Sequence, residues 1–442
     1  MANNYHRHKT RLNKKIRNII MFFLILLFFI ITPIIIFYAS GYTYNFSENK
    51  IKKTGVLSVD IKPKDAGVYL NNILLKEKIP IKLTGKVPGT YNLKIEKKGY
   101  KSWEKDIVIS SNQTTYIKDI TLIKENLPLK ILDEIEDIEN IFANTDNENI
   151  LILTKKESLY EFYNYNTENE KNTSVLRFNS ENDIKVDLSS YQNLAYIETL
   201  QNQEKIVYII DLDNPETKIN TFNFLENVEL EFEWVDNNFN PFYIKTGNII
   251  YKINNENITE FTSSSDKIWY IDDDNNYWYL DEKLFLINKD DKKYLLNDKI
   301  EKIIDLNKNR IIAKSDKETI VYKIENENIT EKTYLSGTNF YHFDEEWWVS
   351  SNWEINAIYE DGGIELINRF GQKISQISLF DEEGVFLIKT ESNLITFNPG
   401  YFISTSILEN AQIKNIITET KKRKLFFFGT IGNQSGIFEL NY

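Results

Sequence analysis

The chain contains no cysteine, three histidines, and only 8 prolines and 16 glycines in 442 residues. The missing thiols exclude disulfides, thiolate metal sites and lipid attachment through cysteine, and they leave the redox compartment undetermined. Two of the histidines, His6 and His8, lie close to the N-terminus, so the nitrogen and sulfur ligands that a zinc site needs are largely missing. We therefore predict no metal ion and no cofactor.

Catalytic motifs are also missing. His342 is the one histidine outside the N-terminal segment, and no Gly-x-Ser-x-Gly elbow accompanies it. Its position between two aromatic residues is typical of a strand. Residues 272–276 offer oxygen ligands for calcium but lack the glycine and the distant glutamate of an EF-hand, which favours a solvated turn between strands. We predict that the chain is not an enzyme, although its many carboxylates leave open a pair at glycosidase spacing.

One long apolar run stands out in this polar chain. Residues 19–38, from Ile19 to Tyr38, are twenty positions without a charge. As an α-helix they would span about 30 Å, the hydrocarbon thickness of a bilayer. Phe37 stands two places before Ala39, unlike the small residues that precede a signal-peptide cut. We therefore predict an uncleaved transmembrane helix that contacts the lipid bilayer over residues 19–38.

The charges around this run predict its orientation. Residues 1–18 contain no acidic residue and six basic ones, which are Arg7, Lys9, Arg11, Lys14, Lys15 and Arg17. Dense positive charge stays in the cytoplasm, so 1–18 is predicted to be a short cytoplasmic tail and the C-terminal domains to be extracytoplasmic at the cell membrane. Removing this +6 from the formal −12 leaves about −18 on the remainder. Such an acidic body is not expected to bind nucleic acid.

A linker at 39–54 is followed by residues 55–124. In this segment apolar and polar residues alternate over short stretches that are separated by turn residues, as in short β-strands. In the first of these strands Leu57, Val59 and Ile61 share one face. About six short strands in about 70 residues predict a small β-sandwich.

A series of motifs runs through this segment in a fixed order: Pro63-Lys-Asp-Ala66, Val68-Tyr69-Leu70, Ile79-Pro80, Gly85, Pro88-Gly89-Thr-Tyr91, Leu93-Lys-Ile95, Lys97, Lys98-Gly99-Tyr100 and Trp103. The series resembles the PEGA domain, a β-sandwich module of bacterial and archaeal envelope proteins. Lys64 and Asp65 replace the glutamate and glycine of the eponymous tetrapeptide, and a polar residue such as Asp is at home in a turn. The resemblance implies a surface or accessory module without known catalytic residues.

Residues 125–442 contain an internal repeat. Residues 251–262 recur at 322–333 with ten of twelve positions identical, 71 residues apart. A related start between the two copies divides this interval into two units of about 35 residues. Looser versions of the pattern give eight unit starts in all, near Ile138, Ile184, Phe232, Lys267, Lys302, Phe343, Phe380 and Ile413.

Periods of ~35–47 residues built from strand, turn and strand are typical of β-propeller blades, which stack around an axis because one blade cannot bury both its faces alone. We predict a mainly β chain in which residues 125–442 form a seven- or eight-bladed propeller. Residues 127–133 are predicted to supply the outer strand of the last blade, next to residues 436–442. The pattern resembles tryptophan-aspartate-type and related bacterial propellers, and two separate β-sandwiches are the alternative.

Tryptophans are concentrated in the middle units of this series. The candidates for ligand binding are Trp269, Trp278, Trp347, Trp348 and Trp353. Exposed aromatic rings bind sugars and peptides by stacking. Alternatively, these rings fill the core between units. On a strand the adjacent Trp347 and Trp348 point in opposite directions, so we expect one in the core and the other near solvent.

These features predict a membrane-anchored, extracytoplasmic binding or scaffold protein whose propeller binds an envelope protein or a cell-wall glycan. Two alternatives stay open. One is a propeller-type glycoside hydrolase or lyase, which converging carboxylates with a raised pKa would favour. The other is an accessory subunit of an envelope complex. A cavity lined by apolar and amide groups would favour binding.

Overall fold

The computed structural model describes residues 14–39, 41–45, 50–180, 182–189, 192–226, 228–235, 242–254, 257–288, 292–343 and 346–442. The chain is mainly β with one N-terminal helix, and none of its sheets in the described part closes into a barrel. It divides into two compact units, Met1–Glu125 and Asn126–Tyr442. Most of the predicted basic tail, with His6 and His8, lies outside the described residues.

The helix α1 (Lys14–Ala39) contains the apolar run and includes Pro33. Its stretch Lys15–Phe37 has a mean hydropathy of 3.2, and none of it is buried. Such a helix is long and apolar enough to cross a membrane. A signal sequence near an N-terminus has the same properties, so length and composition fit both an anchor and a signal sequence.

Nine strands follow the helix in the described part of the first unit. They are β1 (Tyr42–Asn45), β2 (Lys50–Lys53), β3 (Gly55–Lys62), β4 (Gly67–Leu70), β5 (Ile73–Leu74), β6 (Ile81–Lys86), β7 (Gly89–Glu96), β8 (Trp103–Ile109) and β9 (Thr114–Thr121). Strands β1 and β2 form a pair, and the others form one sheet in the order β6-β3-β9 and another in the order β5-β4-β7-β8. The predicted alternation in β3 is confirmed, since Leu57, Val59 and Ile61 are each at most 1% exposed.

The second unit begins with β10 (Leu129–Ile131). Sheet 1 contains β11 (Ile138–Phe142), β12 (Asn149–Lys156), β13 (Leu159–Asn166) and β14 (Lys171–Asn179). Sheet 2 contains β15 (Lys185–Leu188), β16 (Leu194–Gln201), β17 (Glu204–Asp211) and β18 (Ile219–Leu225). Sheet 3 contains β19 (Leu230–Trp234), β20 (Phe242–Thr246), β21 (Ile249–Asn254) and β22 (Asn257–Ser263). Sheet 4 contains β23 (Trp269–Ile271), β24 (Tyr277–Leu280), β25 (Phe285–Asn288) and β26 (Lys293–Leu295).

The remaining strands form four further sheets. Sheet 5 contains β27 (Lys302–Leu306), β28 (Arg310–Lys314), β29 (Glu318–Glu325) and β30 (Asn328–Ser336). Sheet 6 contains β31 (Asn339–Phe343), β32 (Glu346–Ser350), β33 (Glu354–Ile358) and β34 (Ile364–Arg369). Sheet 7 contains β35 (Ile374–Leu379), β36 (Phe386–Thr390), β37 (Leu394–Asn398) and β38 (Ile403–Leu408). Sheet 8 contains β39 (Ala411–Glu419), β40 (Lys424–Ile431), β41 (Gln434–Asn441) and the early strand β10.

Each of sheets 1 to 7 is an antiparallel meander, and sheet 8 is the meander β39-β40-β41 with β10 added beside β41, so that β39 is called its first strand. The eight predicted unit starts lie in or beside the first strand of a sheet. The repeated sequence forms the hairpin β21–β22 of sheet 3 and the hairpin β29–β30 of sheet 5. Sheet 4 lies between these two sheets in the sequence, which confirms that the 71-residue interval comprises two units.

Apolar clusters join the sheets in a fixed sequence. Buried clusters contain side chains from pairs of neighbouring sheets. The pairs are sheets 1 and 2, 2 and 3, 3 and 4, 4 and 5, 5 and 6, 6 and 7, and 8 and 1. Sheets 7 and 8 meet through the buried hydroxyls of Ser378 and Thr418, whose oxygens are 2.8 Å apart. Every sheet therefore contacts the next, and the last contacts the first.

The central strands are apolar on both faces because each sheet has a neighbour on both sides. In β12 the residues Ile150 to Leu153 are consecutive and at most 4% exposed, and in β40 the residues Leu425 to Phe428 are at most 5% exposed. Strands with a solvated face would alternate instead. Such continuous apolar runs therefore mark the strands that are covered by two neighbouring sheets.

Sheet 8 is built from both ends of the second unit. Strand β10 pairs with β41 in antiparallel register, with Leu129 opposite Glu439. The prediction that residues near 127–133 lie beside the C-terminal strand is confirmed. Phe438 of β41 is 2% exposed and its ring stacks on that of Phe427 at 5.3 Å.

The C-terminal residue and the start of the loop after β35 pack against each other. The Tyr442 ring stacks on that of Phe380 at 3.8 Å, and the Tyr442 hydroxyl donates to the Phe380 carbonyl. The neighbouring Asp381 is 5% exposed, and its carboxylate accepts the backbone N–H groups of Glu383 and Val385 at 3.1 and 3.0 Å. Burial raises the pKa of Asp381 to about 6.

We expect Phe438→Ala to lower the free energy of unfolding by about 3–5 kcal/mol, because a buried aromatic ring is lost and a cavity remains. The matched control is Leu129→Ala on β10 of the same sheet, since Leu129 is 68% exposed and its loss should stay within about 0.5 kcal/mol. Denaturant unfolding of the detergent-solubilised chain measures both. A loss below about 1 kcal/mol for Phe438→Ala would contradict the packing described for sheet 8.

We expect Asp381→Asn to stabilise the chain by about 2 kcal/mol at pH 7.5. The folded-state pKa lies above the unfolded value, so the ionised carboxyl destabilises the fold above about pH 6 and has no such effect once it is protonated below about pH 4. Asparagine keeps the acceptor oxygen. The gain should therefore vanish in unfolding experiments at pH 4. Asp361→Asn, at an exposed turn where the carboxylate also accepts a backbone N–H, is the control.

Candidate functional site

A cavity of about 640 Å³ lies where the first strands of sheets 2 to 6 meet. We call it the first-strand cavity. Charged side chains make up much of its lining, with carboxylates from Asp187, Glu229, Glu231, Glu233 and Glu301 and ammonium groups from Lys185, Lys267 and Lys302. Phe232 and Phe340 add half-buried aromatic surface. The cavity thus combines apolar area with a small excess of negative charge.

Strand β19 of sheet 3 contributes two of the five carboxylates. Glu231 and Glu233 are two residues apart, so their side chains leave the strand on the same face. The Glu233 side chain is 10% exposed and that of Glu231 is 45% exposed. The strand therefore places one carboxylate deep in the cavity and a second one nearer to solvent.

Indole N–H groups hold two of the carboxylates across neighbouring sheets. Trp234 Nε1 of sheet 3 donates to Asp187 Oδ2 of sheet 2 at 2.8 Å. Trp269 Nε1 of sheet 4 donates to Glu231 Oε2 of sheet 3 at 2.6 Å. Both indoles are buried, at 9% and 6% exposure. They orient the carboxylates more than they offer a ring face to a ligand.

An ion pair spans the acidic side of the cavity. Lys302 Nζ of sheet 5 lies 2.9 Å from Glu233 Oε2 of sheet 3. Burial raises the pKa of the Glu233 carboxyl above its usual value, and the Lys302 ammonium opposes this shift. The attraction of Glu233 raises the pKa of Lys302, and the negative charges of Asp187 and Glu231 add to it. Three carboxylates therefore act on one ammonium group.

The half-buried Phe232 also contacts a cation. Lys185 Nζ lies 4.6 Å from the centre of the Phe232 ring, at a distance typical of a cation–π contact. The Phe232 ring also stacks on that of Tyr196, at a ring separation of 4.3 Å and an interplanar angle of 20°. The aromatic surface of the cavity is thus fixed by packing and already interacts with an ammonium group.

A second cavity of about 690 Å³ is lined by the first strands of sheets 6, 7 and 8 and by turns of sheets 1 and 2. Its lining includes the amides of Asn144, Gln192, Asn193 and Gln376, together with apolar side chains. Asn144 Nδ2 donates to the carbonyls of Ser189 and Gln192 at 3.1 and 2.8 Å. Apolar and amide groups thus make up much of this lining, which also includes Asp146 and His342.

The five candidate tryptophans lie in different places. Trp269 and Trp347 line the first-strand cavity. Trp278 and Trp348 are buried, at 4% and 6% exposure, in the clusters between sheets 4 and 5 and between sheets 6 and 7. Trp353 is 53% exposed in the connection between β32 and β33. The candidates therefore do not form one surface.

The expectation that Trp347 or Trp348 faces solvent is wrong. Each is 6% exposed, Trp347 between sheets 5 and 6 and Trp348 between sheets 6 and 7. The two rings do point to opposite faces of β32, but neighbouring sheets cover both faces. His342 lies in a strand, as predicted, with its ring 4.9 Å from that of Trp347.

The turn at 272–276 is less solvated than predicted. Asp272 is 8% exposed, and its carboxylate accepts the N–H groups of Asp274 and Asn276, the Asn276 side-chain amide and Trp278 Nε1. The carboxylate is thus used to hold the turn and an indole. Among the described residues, no group of three or more His, Asp or Glu side chains has an arrangement that would hold a metal ion.

Sequence reasoning missed the residues that define the first-strand cavity, namely Asp187, Glu231, Glu233, Trp234 and Lys302. The sequence did contain a signal for this cavity. At the unit starts near Phe232, Lys267 and Lys302, a charged residue is followed directly by a tryptophan or an isoleucine. Charged residues in a strand that begins each unit indicate a polar region shared by several units.

Comparison with known proteins identifies one part of the chain. The profile of the PEGA domain matches residues 54–126. No curated protein matches the chain.

Several solved structures are similar to this chain at low sequence identity. The uncharacterized protein lmo1340 from Listeria monocytogenes is 14% identical with a TM-score of 0.39, over 68% of this chain and 92% of that chain. A functionally unknown protein from Desulfotomaculum acetoxidans is 10% identical with a TM-score of 0.35, over 72% and 93%. Hsv2 from Kluyveromyces lactis is 11% identical with a TM-score of 0.33, over 46% and 72%.

We expect Lys302→Met to destabilise the fold by about 1–2 kcal/mol at pH 7, because it leaves Glu233 buried without its cation. A fully buried pair would lose about 3–5 kcal/mol, but the Lys302 side chain is 49% exposed. Without Lys302 the pKa of Glu233 rises further, so the loss should be largest at neutral pH and shrink near pH 4, where Glu233 holds its proton.

Unfolding of the full chain at both pH values measures this effect. The double variant Lys302→Met, Glu233→Gln should recover most of the stability at pH 7, because no buried charge is left. An equal loss at pH 7 and pH 4 would contradict the electrostatic explanation.

Proposed function

We propose that the chain is a membrane-anchored, extracytoplasmic binding or scaffold protein of the cell envelope, and that its first-strand cavity binds part of an envelope protein or a cell-wall glycan. The observation that supports this proposal best is the cavity itself. Its volume of about 640 Å³ is in the range of ligand sites, and its lining mixes aromatic and charged groups.

We infer that Asn126–Tyr442 forms an eight-bladed β-propeller in which each four-stranded sheet is one blade. The cyclic order of apolar clusters supports this inference, and so does the pairing of β10 with β41, which joins the two ends of the unit in one sheet. The first strands of the sheets are then the innermost ones. The first-strand cavity and the second cavity both lie against these strands, as ligand sites near a propeller axis do.

The apolar helix α1 is proposed to be an uncleaved anchor with a cytoplasmic N-terminus. The dense basic charge before it and the absence of small residues at a cleavage position support this orientation. The PEGA domain at 54–126 then lies between the membrane and the proposed propeller along the chain. The resemblance to the PEGA family implies a surface or accessory module, which agrees with a display role.

The alternative is an enzyme acting on glycans, and one observation favours it. Burial raises the pKa of Glu233, and the carboxylate of Asp187 adds to this shift. A general acid beside a second carboxylate is the pair that a glycosidase needs. However, Asp187 accepts an indole N–H and Glu233 pairs with Lys302, so both carboxylates already have partners. Binding is therefore the better supported function.

The test is a pull-down with the full chain, solubilised in detergent, against purified peptidoglycan and an envelope protein extract. We expect retention of one of the two, and at least about a tenfold loss of retention in Glu231→Gln, Glu233→Gln, because charged hydrogen bonds in the cavity are removed. Glu409→Gln, in the exposed connection between β38 and β39, is the matched control. Retention of neither component would contradict the proposal, and glycan cleavage that Glu233→Gln abolishes would replace it with the enzyme.

A further inference from the structure

The Lys302 ammonium is a cation of the chain that occupies the acidic side of the first-strand cavity. Its nitrogen lies 2.9 Å from Glu233 Oε2, yet the lysine side chain is 49% exposed whereas that of Glu233 is 10% exposed. A long, half-exposed side chain from sheet 5 thus reaches a buried carboxylate of sheet 3. Because lysine has a flexible four-carbon stem, its head group can move between Glu233 and solvent without movement of the strand, provided that another cation then pairs with Glu233.

Two of the carboxylates near this ammonium accept hydrogen bonds from buried indoles. The indole N–H groups of Trp234 and Trp269 fix Asp187 and Glu231 at 2.8 and 2.6 Å. Glu233 lies two residues from Glu231 on the same face of β19. Asp187 and Glu231 are thus pre-oriented beside the Glu233–Lys302 ion pair, and Glu231 Oε2 also lies 3.9 Å from the buried Lys245 Nζ.

The remainder of the cavity suits a ligand larger than an ion. Phe232 and Phe340, together with Ile268 and Ile304, provide apolar area beside the carboxylates. The cavity volume of about 640 Å³ is free space beside the Lys302 head group, and it is large enough for a small organic molecule. The lining also keeps more carboxylates than ammonium groups, so the cavity attracts a further positive charge.

We propose that the first-strand cavity binds a ligand that carries a primary ammonium group next to an apolar face, and that this group replaces the Lys302 ammonium at Glu233. The inference rests on the proposed binding function and names the ligand class of that site. Exchange of one ammonium for another leaves no buried carboxylate unpaired, which would otherwise be costly. The displaced Lys302 returns to solvent, where its charge is hydrated.

The experiment is a calorimetric titration of the full chain in detergent at pH 8 with pentylamine and with pentanol, its neutral counterpart. We expect pentylamine to bind at least about tenfold more tightly than pentanol, since a charge-assisted hydrogen bond is gained. Lys302→Met should bind pentylamine about five- to tenfold more tightly than the natural chain, because the internal competitor is removed. Glu233→Gln should bind it at least about tenfold less tightly.

Two controls make the titration specific. Glu409→Gln should bind pentylamine as the natural chain does. Glu231→Gln keeps an acceptor for Trp269 while removing one charge, so it should weaken amine binding and can replace any variant that fails to unfold cooperatively. Glucosamine and Nα-acetyl-lysine amide then distinguish a sugar amine from a side-chain amine.

Three results would overturn the inference. They are the absence of pentylamine binding in both the natural chain and Lys302→Met, equal binding of pentanol, and unchanged binding in Glu233→Gln. If the chain retains an envelope component in the pull-down while pentylamine does not bind, the ligand class is wrong and the proposed function stands. Failure of both experiments would remove both proposals.

Discussion

The structure of the second unit depends on the need to cover both faces of every sheet. Strands such as β12 and β40 are apolar on both sides, and burying each large apolar side chain contributes about 1.5–3 kcal/mol. A linear stack of such sheets would leave two apolar faces in water, one at each end. Contacts of sheet 8 with sheets 1 and 7 remove both ends. This requirement explains why β10, from the start of the unit, completes the last sheet.

Three of the first strands differ from the central strands because they carry charged residues. Strands β15, β19 and β27 are short and carry Lys185, Asp187, Glu231, Glu233 and Lys302. They border a cavity, so their side chains meet water and one another. Charges there remain compatible with the fold because indole N–H groups and opposite charges satisfy them. Packing thus admits charged side chains on these three first strands, which border the cavity.

The unit organisation was predictable because its signals are local. The hairpin at 322–333 repeats that at 251–262, and the strand starting at Gly55 shows its buried face by alternation. The cavity was not predictable in the same way, because its contacts join residues far apart in sequence. Trp234 meets Asp187 across 47 residues, and Lys302 meets Glu233 from two sheets away. For the same reason, the burial of both Trp347 and Trp348 follows from neighbouring sheets and not from the strand that carries them.

The arrangement of charges in the first-strand cavity suits recognition better than bond cleavage. A general acid must give up its proton to a substrate, so it needs a carboxyl whose raised pKa is not opposed by a cation. Lys302 opposes the raised pKa of Glu233, and Trp234 donates to the carboxylate next to it. Fixed carboxylates around an exchangeable ammonium instead lower the ordering cost of binding another cation, because the site is already formed. The Glu233–Lys302 ion pair is therefore the contact that the proposed ligand has to replace.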